Sequence, residues 1–267
     1  SMLVPLRDQQ QHGLPDGGAT YACEDGGWMY VSNSELPLVG GVGMLRFNAA
    51  GEVVQGRRLL GATTANCAGG KTPWGTFLTG EEFELGRVWE VNPYGTQLDA
   101  RPRPALGIFK HEAVAVDPVH KILYLTEDES DGRFYRFTPD AYPDLTAGRL
   151  EVAREDADGA VTWLEVPDPS ASSTPTRQQV PESTAYDGGE GVWYDQGSVY
   201  FTTKGDDHVR RYDVEAETVT VVYDGSGVLT GVDNLTVEPS TADLYVAEDG
   251  GNMEIVILTA EGDAVPF

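Results

Sequence analysis

The chain has 267 residues, 40% of them apolar and 23% charged, a composition suited to a packed core in one large domain or two small ones. Eighteen basic residues against 43 acidic ones leave a net charge of −25. Such a surface repels a phosphate backbone, which argues against a nucleic-acid partner and makes cations the natural ones, while also keeping a secreted or salt-tolerant protein soluble. No stretch approaches the roughly 18 apolar residues of a membrane span, so no membrane partner is expected. No charged-then-apolar leader stands at the N-terminus, and Ser1-Met2 reads as the scar of tag removal, which would put the native start upstream. Two cysteines, Cys23 and Cys67, are too few for a disulfide framework, although they allow one bridge.

Along the chain, five short segments share an aromatic, an apolar and a small residue, mostly followed by acidic or amide positions. They are YVSNSE from Tyr30, FLTGEE from Phe77, YLTEDE from Tyr124, YFTTKGD from Tyr200 and YVAEDG from Tyr245, at intervals of 47, 47, 76 and 45 residues. Each precedes a second alternating segment: GMLRFN, GRVWEVNP, GRFYRFTP, HVRRYDV and MEIVILT. Alternation bounded by turn signals such as DPVHK, DADG, DQG and EPSTAD predicts short antiparallel strands, and helical periodicity is almost absent. A period near 45 residues with about four strands per unit predicts an all-β fold, a single β-propeller domain over 1–267 with five countable blades. The long interval holds one blade plus an insertion around 140–188, rich in Pro, Ser, Thr and Asp and expected to lie partly as a surface loop over one face. A ring of five could close by itself. The ending at AVPF also leaves room for a six-bladed architecture completed by segments outside this sequence.

In a propeller the innermost strands deliver their ends to one axial opening, so acids at matching repeat positions should meet there. The repeat ends carry Glu35, Glu81, Glu82, Glu127, Asp128, Asp206, Asp207, Glu248 and Asp249. The segments ahead of the strands add Glu112 in KHEAV, Glu190 in GGEGVW, and Asp233 with Asn234 in GVDNLTV. So many carboxylates repel one another unless cations neutralise them; oxygen donors favour calcium or magnesium, and carboxylates joined by a thiolate suit iron. Cys67, in NCAGG, is either a buried structural thiol, half of a Cys23–Cys67 disulfide, or a metal ligand beside glycines that let backbone approach an ion. His111, next to Glu112 on a strand, alternates away from it and is expected to be structural, whereas His120 falls in an exposed turn. No Gly-x-Ser-x-Gly elbow and no zinc-type His or Cys spacing occurs.

These motifs, NCAGGKTPWGTFLTGEE, GIFKHEAVAVDP, LYLTEDESDGRFYRFTP, GEGVWY, VYFTTKGD and GVDNLTVEPSTADLYVAEDGG, span about Gly27 to Leu258 in one order. In that order the chain resembles the PhoX-type alkaline phosphatases and their shorter relatives. The resemblance implies a propeller whose axial iron and calcium cofactor hydrolyses a small-molecule phosphate ester, in a periplasmic or secreted setting. It implies Cys67 and Glu112 as iron ligands, Glu82, Glu190, Asp233 and Glu248 as ligands to calcium or the shared cluster, and Asn234 facing substrate. Asn66 joins Asn234 as an expected substrate contact.

Three departures bear on this reading. The larger phosphatases place a phosphate-contacting arginine two residues before the Glu190 position, where this chain has Gly188; Lys204 or Arg177 are the candidates to supply the cation, Lys204 in a catalytic role and Arg177 in substrate binding. The family's later Glu-x-Thr-Gly-Pro motif is not found, and Gly80 stands where relatives often carry cysteine. A phosphomonoesterase is the leading expectation. Phosphodiester or triester hydrolysis, a non-catalytic calcium-binding propeller and a calcium-dependent lactonase are the alternatives.

Overall fold

The computed structural model describes residues 12–267; Ser1-Met2, read above as left by tag removal, lies outside them. Five sheets follow one another along the chain, each built by a meander of antiparallel strands. The first blade is β1 (Pro15–Ala22), β2 (Trp28–Ser34), β3 (Gly40–Phe47) and β4 (Val53–Thr63). The second is β5 (Asn66–Lys71), β6 (Phe77–Glu81), β7 (Val88–Val91) and β8 (Arg101–Pro102). The third has five strands: β9 (His111–Asp117), β10 (Ile122–Glu127), β11 (Phe134–Ala141), β12 (Asp144–Glu155) and β13 (Val161–Glu165). The fourth is β14 (Gly189–Asp195), β15 (Ser198–Thr203), β16 (His208–Asp213) and β17 (Thr218–Asp224). The fifth is β18 (Val232–Val237), β19 (Leu244–Glu248), β20 (Ile255–Leu258) and β21 (Ala264–Pro266).

The result is an all-β, five-bladed propeller, and the repeated aromatic segments are the second strands of its blades. Those strands are sandwiched between neighbouring sheets, so β6 and most of β10 are buried on both faces rather than alternating. Apolar clusters fill the joints between successive blades: Tyr21, Val31 and Met44 with Phe77 and Val91; Leu78 and Val88 with Phe109 and Val114; Tyr124, Phe134 and Trp163 with Phe201 and Tyr212; and Val209 with Val232, Val246 and Val256. At the third joint the rings of Phe134 and Phe201 stack 4.3 Å apart, and Trp163 Nε1 donates to the Tyr212 hydroxyl at 3.0 Å, so the aromatic payload also satisfies its polar ends. A cavity of about 590 Å³ is lined by the inner strands of all five blades, with Gly18, Gly70, Val114, Val192 and Leu235 on its wall, and it extends between the fifth and first blades to Tyr30, Tyr245 and Ile255. A sixth blade is not among the described residues.

Residues 140–188 divide between sheet and loop. The strands β12 and β13 complete the third blade, and 166–188 form a connection that returns over it. This connection is anchored from within, because Val166 and Val180 enter the core and Thr176 donates its hydroxyl to the Ile108 carbonyl at 2.6 Å.

Glycines set how closely the inner strands approach. A Cβ on Gly70 of β5 would lie 1.8 Å from the Val114 carbonyl oxygen of β9, one on Gly17 of β1 would lie 2.8 Å from Ala68 Cα, and one on Gly191 of β14 would lie 2.8 Å from Asn234 Cα. The glycines after Cys67 therefore serve blade-to-blade packing, and Gly69 also holds φ +147° opposite Leu78; approach to an ion is not what requires them. Gly70→Ala is expected to destabilise the protein by about 3 kcal/mol, the overpacking cost of a site whose neighbour is backbone. Gly13→Ala, whose methyl meets only Leu36 at 3.5 Å, serves as the control. Urea unfolding that finds the two variants alike would refute this packing role.

Candidate metal centre

Every blade begins with the same irregularity. The first residue of its inner strand pairs with the last residue of its second strand, Pro15 with Ser34, Asn66 with Glu81, His111 with Glu127, Gly189 with Thr203 and Val232 with Glu248, and a register shift follows. A bulge re-aims the side chain beside it. The residue so placed, second in each inner strand, is Asp16, Cys67, Glu112, Glu190 or Asp233. An outer set consists of the residues directly after each second strand: Glu35, Glu82, Asp128, Lys204 and Asp249.

Seven of these side chains gather into three overlapping groups, Asp16–Cys67–Glu112, Glu35–Cys67–Glu82 and Glu112–Glu190–Asp233, with the donor atoms of each group within 4.8 Å of one another. Cys67 and Glu112 are each shared by two groups, so the three form one continuous donor surface. Glu112 is the centre of it: its side chain is 0% exposed and neither carboxylate oxygen has a hydrogen-bond partner among the described residues. An unpartnered buried carboxylate is costly, and a cation is the partner this donor set fits. Both cysteines are free thiols, so the Cys23–Cys67 bridge is not formed and Cys67 remains a donor.

The electrostatics follow from burial and crowding. Desolvation, then the charges of Glu190, Glu82, Asp16 and Asp233, hold Glu112 well above the usual carboxylate range. Burial and the charge of Asp233 raise Glu190 to about 9, and burial with Asp16 raises Asp233 to about 7. Burial followed by the charge of Glu112 pushes the Cys67 thiol up, and burial raises Asp16, Glu35 and Glu82 as well. A bound cation reverses this balance, because it favours the ionised form of every ligand.

The structure brings together Cys67, Glu82, Glu112, Glu190 and Asp233 among the residues expected from sequence. Asn234 stands beside them, its Nδ2 donating to Asp233 Oδ1 at 3.1 Å and lying 3.5 Å from Asp16 Oδ1. Lys204 Nζ reaches Asp249 Oδ2 at 2.6 Å and Glu190 Oε1 at 3.7 Å, which puts it at the rim of the group. Glu248 is elsewhere: its oxygens accept the backbone N–H groups of Thr230 at 2.8 Å and Glu254 at 3.3 Å, as Glu81 accepts that of Thr64. These last residues of second strands brace the loops ahead of the inner strands, and the residue after them faces the site. Asn66 is 0% exposed with its amide committed to the hydroxyls of Thr63 and Thr79, which holds it away from the opening. Arg177 is held among Asp131, Glu84 and Glu127 at 3.0 to 3.4 Å and ties the loop after β13 to the tops of two blades. His111 is buried, donates from Nε2 to the Gly107 carbonyl at 3.0 Å, and is pushed down to about 3 by burial, so it stays neutral.

Sequence reasoning missed Asp16 altogether and named Glu35 only as a strand-end acid. The signal for Asp16 was distance: Cys67, Glu112, Glu190 and Asp233 precede the aromatic of their second strand by 10, 12, 10 and 12 residues, and Asp16 precedes Tyr30 by 14. Asp16 was hidden in PDGG, which reads as a turn. Lys110 was missed too; its Nζ lies 3.0 Å from Glu82 Oε1 and 2.7 Å from Asp128 Oδ2.

A propeller with carboxylates and a thiol gathered at the ends of its inner strands offers a donor set that could hold metal ions. The sequence profile of the alkaline phosphatase PhoX matches residues 24–218, and the chain belongs to that family. Pseudomonas fluorescens PhoX, solved with vanadate as a transition-state analogue, superposes with a TM-score of 0.75 at 19% identity, covering 95% of this chain and 79% of that one. The fold is shared more distantly with a chain of a nidogen/laminin complex, TM-score 0.58 at 13% identity over 94% and 78%, and with a gluconolactonase from Xanthomonas campestris, 0.53 at 10% over 89% and 78%. A comparison with curated protein sequences gives no match.

The raised carboxyl groups make metal-free stability depend on pH. Asp233 and Glu190 keep protons in the folded state that the unfolded chain releases from about pH 4 upward, so the stability they contribute is full below that value and lost as pH rises through about 7 and then about 9. The Tm of chelator-treated protein is expected to fall between about pH 5 and 9, and the rise in Tm on adding calcium to grow over the same interval. Calorimetric scans with a flat profile in both series would refute the cluster's electrostatics.

Proposed function

We propose that the chain is a metal-dependent phosphoesterase that hydrolyses phosphomonoesters at an axial iron and calcium cluster. Glu112 carries the reading: a fully buried carboxylate without a partner, beside a free buried thiol, in a chain of the alkaline phosphatase PhoX family. Cys67 and Glu112 are the proposed iron ligands, since a thiolate selects iron over the harder ions. Glu82, Glu190 and Asp233, with Asp16 and Glu35 beside them, are the oxygen donors proposed for calcium or for sharing between ions. Glu248 is left out of the set because backbone N–H groups already occupy its carboxylate. When bound, such ions supply Lewis acidity toward an oxygen nucleophile and positive charge toward phosphoryl oxygens.

The chain's own residues do the rest. The cluster at the opening is the only way a protein of net charge −25 attracts a phosphate ester, because the sign of the potential must be inverted locally. Asn234 would orient a substrate oxygen through its amide, whose present contacts to Asp233 and Asp16 hold it over the donor surface. Lys204, with an ammonium at the rim, would meet a non-bridging phosphoryl oxygen. The substrate is a small-molecule ester, and family membership with the strongly acidic surface supports a periplasmic or secreted location. Among the described residues no helix is long and apolar enough to cross a membrane.

Elemental analysis with turnover of an aryl phosphate tests this. Wild-type protein should retain iron and calcium and hydrolyse the ester; Cys67→Ala and Glu112→Ala should lose iron and lower kcat/KM at least about a hundredfold. Full iron in both variants would overturn the ligand assignment. Calcium without iron, together with background turnover, would identify a non-catalytic calcium propeller, and turnover of lactones instead of esters would identify a lactonase.

A further inference from the structure

The ring at the opening is not uniform. At the outer positions four blades place an acid, Glu35, Glu82, Asp128 and Asp249, and the fourth blade places Lys204. Two residues ahead of the inner-ring position the five blades carry Leu14, Ala65, Lys110, Gly188 and Gly231, so the third blade supplies a second cation where its neighbour has a glycine at φ +66°. The two lysines thus come from adjacent blades and flank the Glu112–Glu190–Asp233 group, Lys110 beside Glu82 and Asp128, and Lys204 beside Glu190 and Asp249.

Neither ammonium is used up. An ammonium has three donors. Lys110 spends two, on Asp128 at 2.7 Å and Glu82 at 3.0 Å, and its side chain is 26% exposed. Lys204 spends one, on Asp249 at 2.6 Å, with Glu190 at 3.7 Å an ion pair beyond hydrogen-bond reach, and it is 34% exposed. A cation taking charge from Glu82 and Glu190 weakens the pull on each lysine and leaves its spare donors to an anion in the opening.

We propose that Lys110 is a specificity-determining residue that acts with Lys204 as a two-cation clamp selecting doubly charged phosphomonoesters over singly charged diesters. The proposal rests on the phosphoesterase reading. A monoester dianion spreads two negative charges over three non-bridging oxygens, whereas a diester spreads one over two, so a pair of ammonium groups attracts the dianion more strongly and each lysine contributes more to its binding. The bland alternative, a strut joining the second and third blades through Glu82–Lys110–Asp128, predicts loss of stability and metal instead of a change in discrimination.

The test uses the metal-loaded full chain. For Lys110→Gln, kcat/KM for p-nitrophenyl phosphate is expected to fall tenfold or more, about the worth of one hydrogen bond to a charged group, chiefly through KM. For bis(p-nitrophenyl) phosphate it should change by less than about threefold. Calorimetric affinity for inorganic phosphate should fall by the same factor as the monoester, metal content and Tm should match wild type, and Lys110→Arg should restore most of the loss. Equal losses on both esters, unchanged phosphate affinity, or loss of metal or Tm in Lys110→Gln would overturn the clamp. If wild type hydrolyses neither ester, the phosphoesterase reading fails, and the phosphate titration still decides the clamp: weaker binding by Lys110→Gln supports it and equal binding sinks it.

Discussion

The bulge that opens each inner strand is the constraint from which the site follows. A regular antiparallel pair would alternate its side chains between the two faces of a blade, and both faces are occupied by neighbouring blades. The extra residue breaks that alternation once per blade, after Pro15, Asn66, His111, Gly189 and Val232, and so delivers one side chain to the axis. The same step fixes the acid behind it: Glu81 and Glu248, paired opposite the bulge, turn their carboxylates onto the backbone N–H groups of the incoming loops. Glu81 and Glu248 are thereby structural, whereas Glu35 and Glu82, each directly after its second strand, face the donor cluster.

That division matters because the donor surface is unstable by itself. Glu112 has no partner, Glu190 and Asp233 are held far above their ordinary values, and Cys67 is driven toward its neutral form. Aromatic and aliphatic packing at the four joints supplies the stability that this crowding removes, through Phe134, Phe201, Trp163 and Tyr212 at one joint and Phe109, Tyr135 and Val114 at another. The close approach that glycines permit at Gly17, Gly70 and Gly191 keeps the carboxylates near enough to share ions.

The period of the aromatic segments made the blades legible, because each segment is a strand buried on both faces and thus rich in a recognisable composition. Cys67, Glu112, Glu190 and Asp233 were legible as candidates because they stand in the segments just ahead of such strands and in the motifs that carry the resemblance. The rest was hidden by what sequence leaves unstated. Glu248 and Glu82 look alike as strand-end acids, yet one residue of offset sends Glu248 to backbone amides and Glu82 to the cluster. Arg177 reads as a free cation in a loop and is enclosed by three carboxylates, contacts made because the 166–188 connection folds back over the ends of the second and third blades. Residues 144–155 and 161–165 passed as an insertion because their alternation lacks the aromatic start, although they pair in register with β11 and each other.

A pseudo-symmetric ring also carries a limitation that its own asymmetry answers. Identical acids in five blades would gather cations evenly and present an anion with the same field from every side, giving neither a preferred approach nor a fixed orientation. The chain departs from its repeat in three ways: a thiolate replaces the carboxylate in the second blade, a lysine replaces the outer acid in the fourth, and the third adds Lys110 ahead of Glu112. The softest donor and the Lys204 ammonium therefore lie on different sides of Glu112, since Cys67 shares its groups with Asp16, Glu35 and Glu82 while Lys204 pairs toward Glu190 and Asp249, and Lys110 joins the Cys67 side through Glu82. The field at the opening is thus uneven around Glu112, the one carboxylate common to the Asp16–Cys67 and Glu190–Asp233 sides.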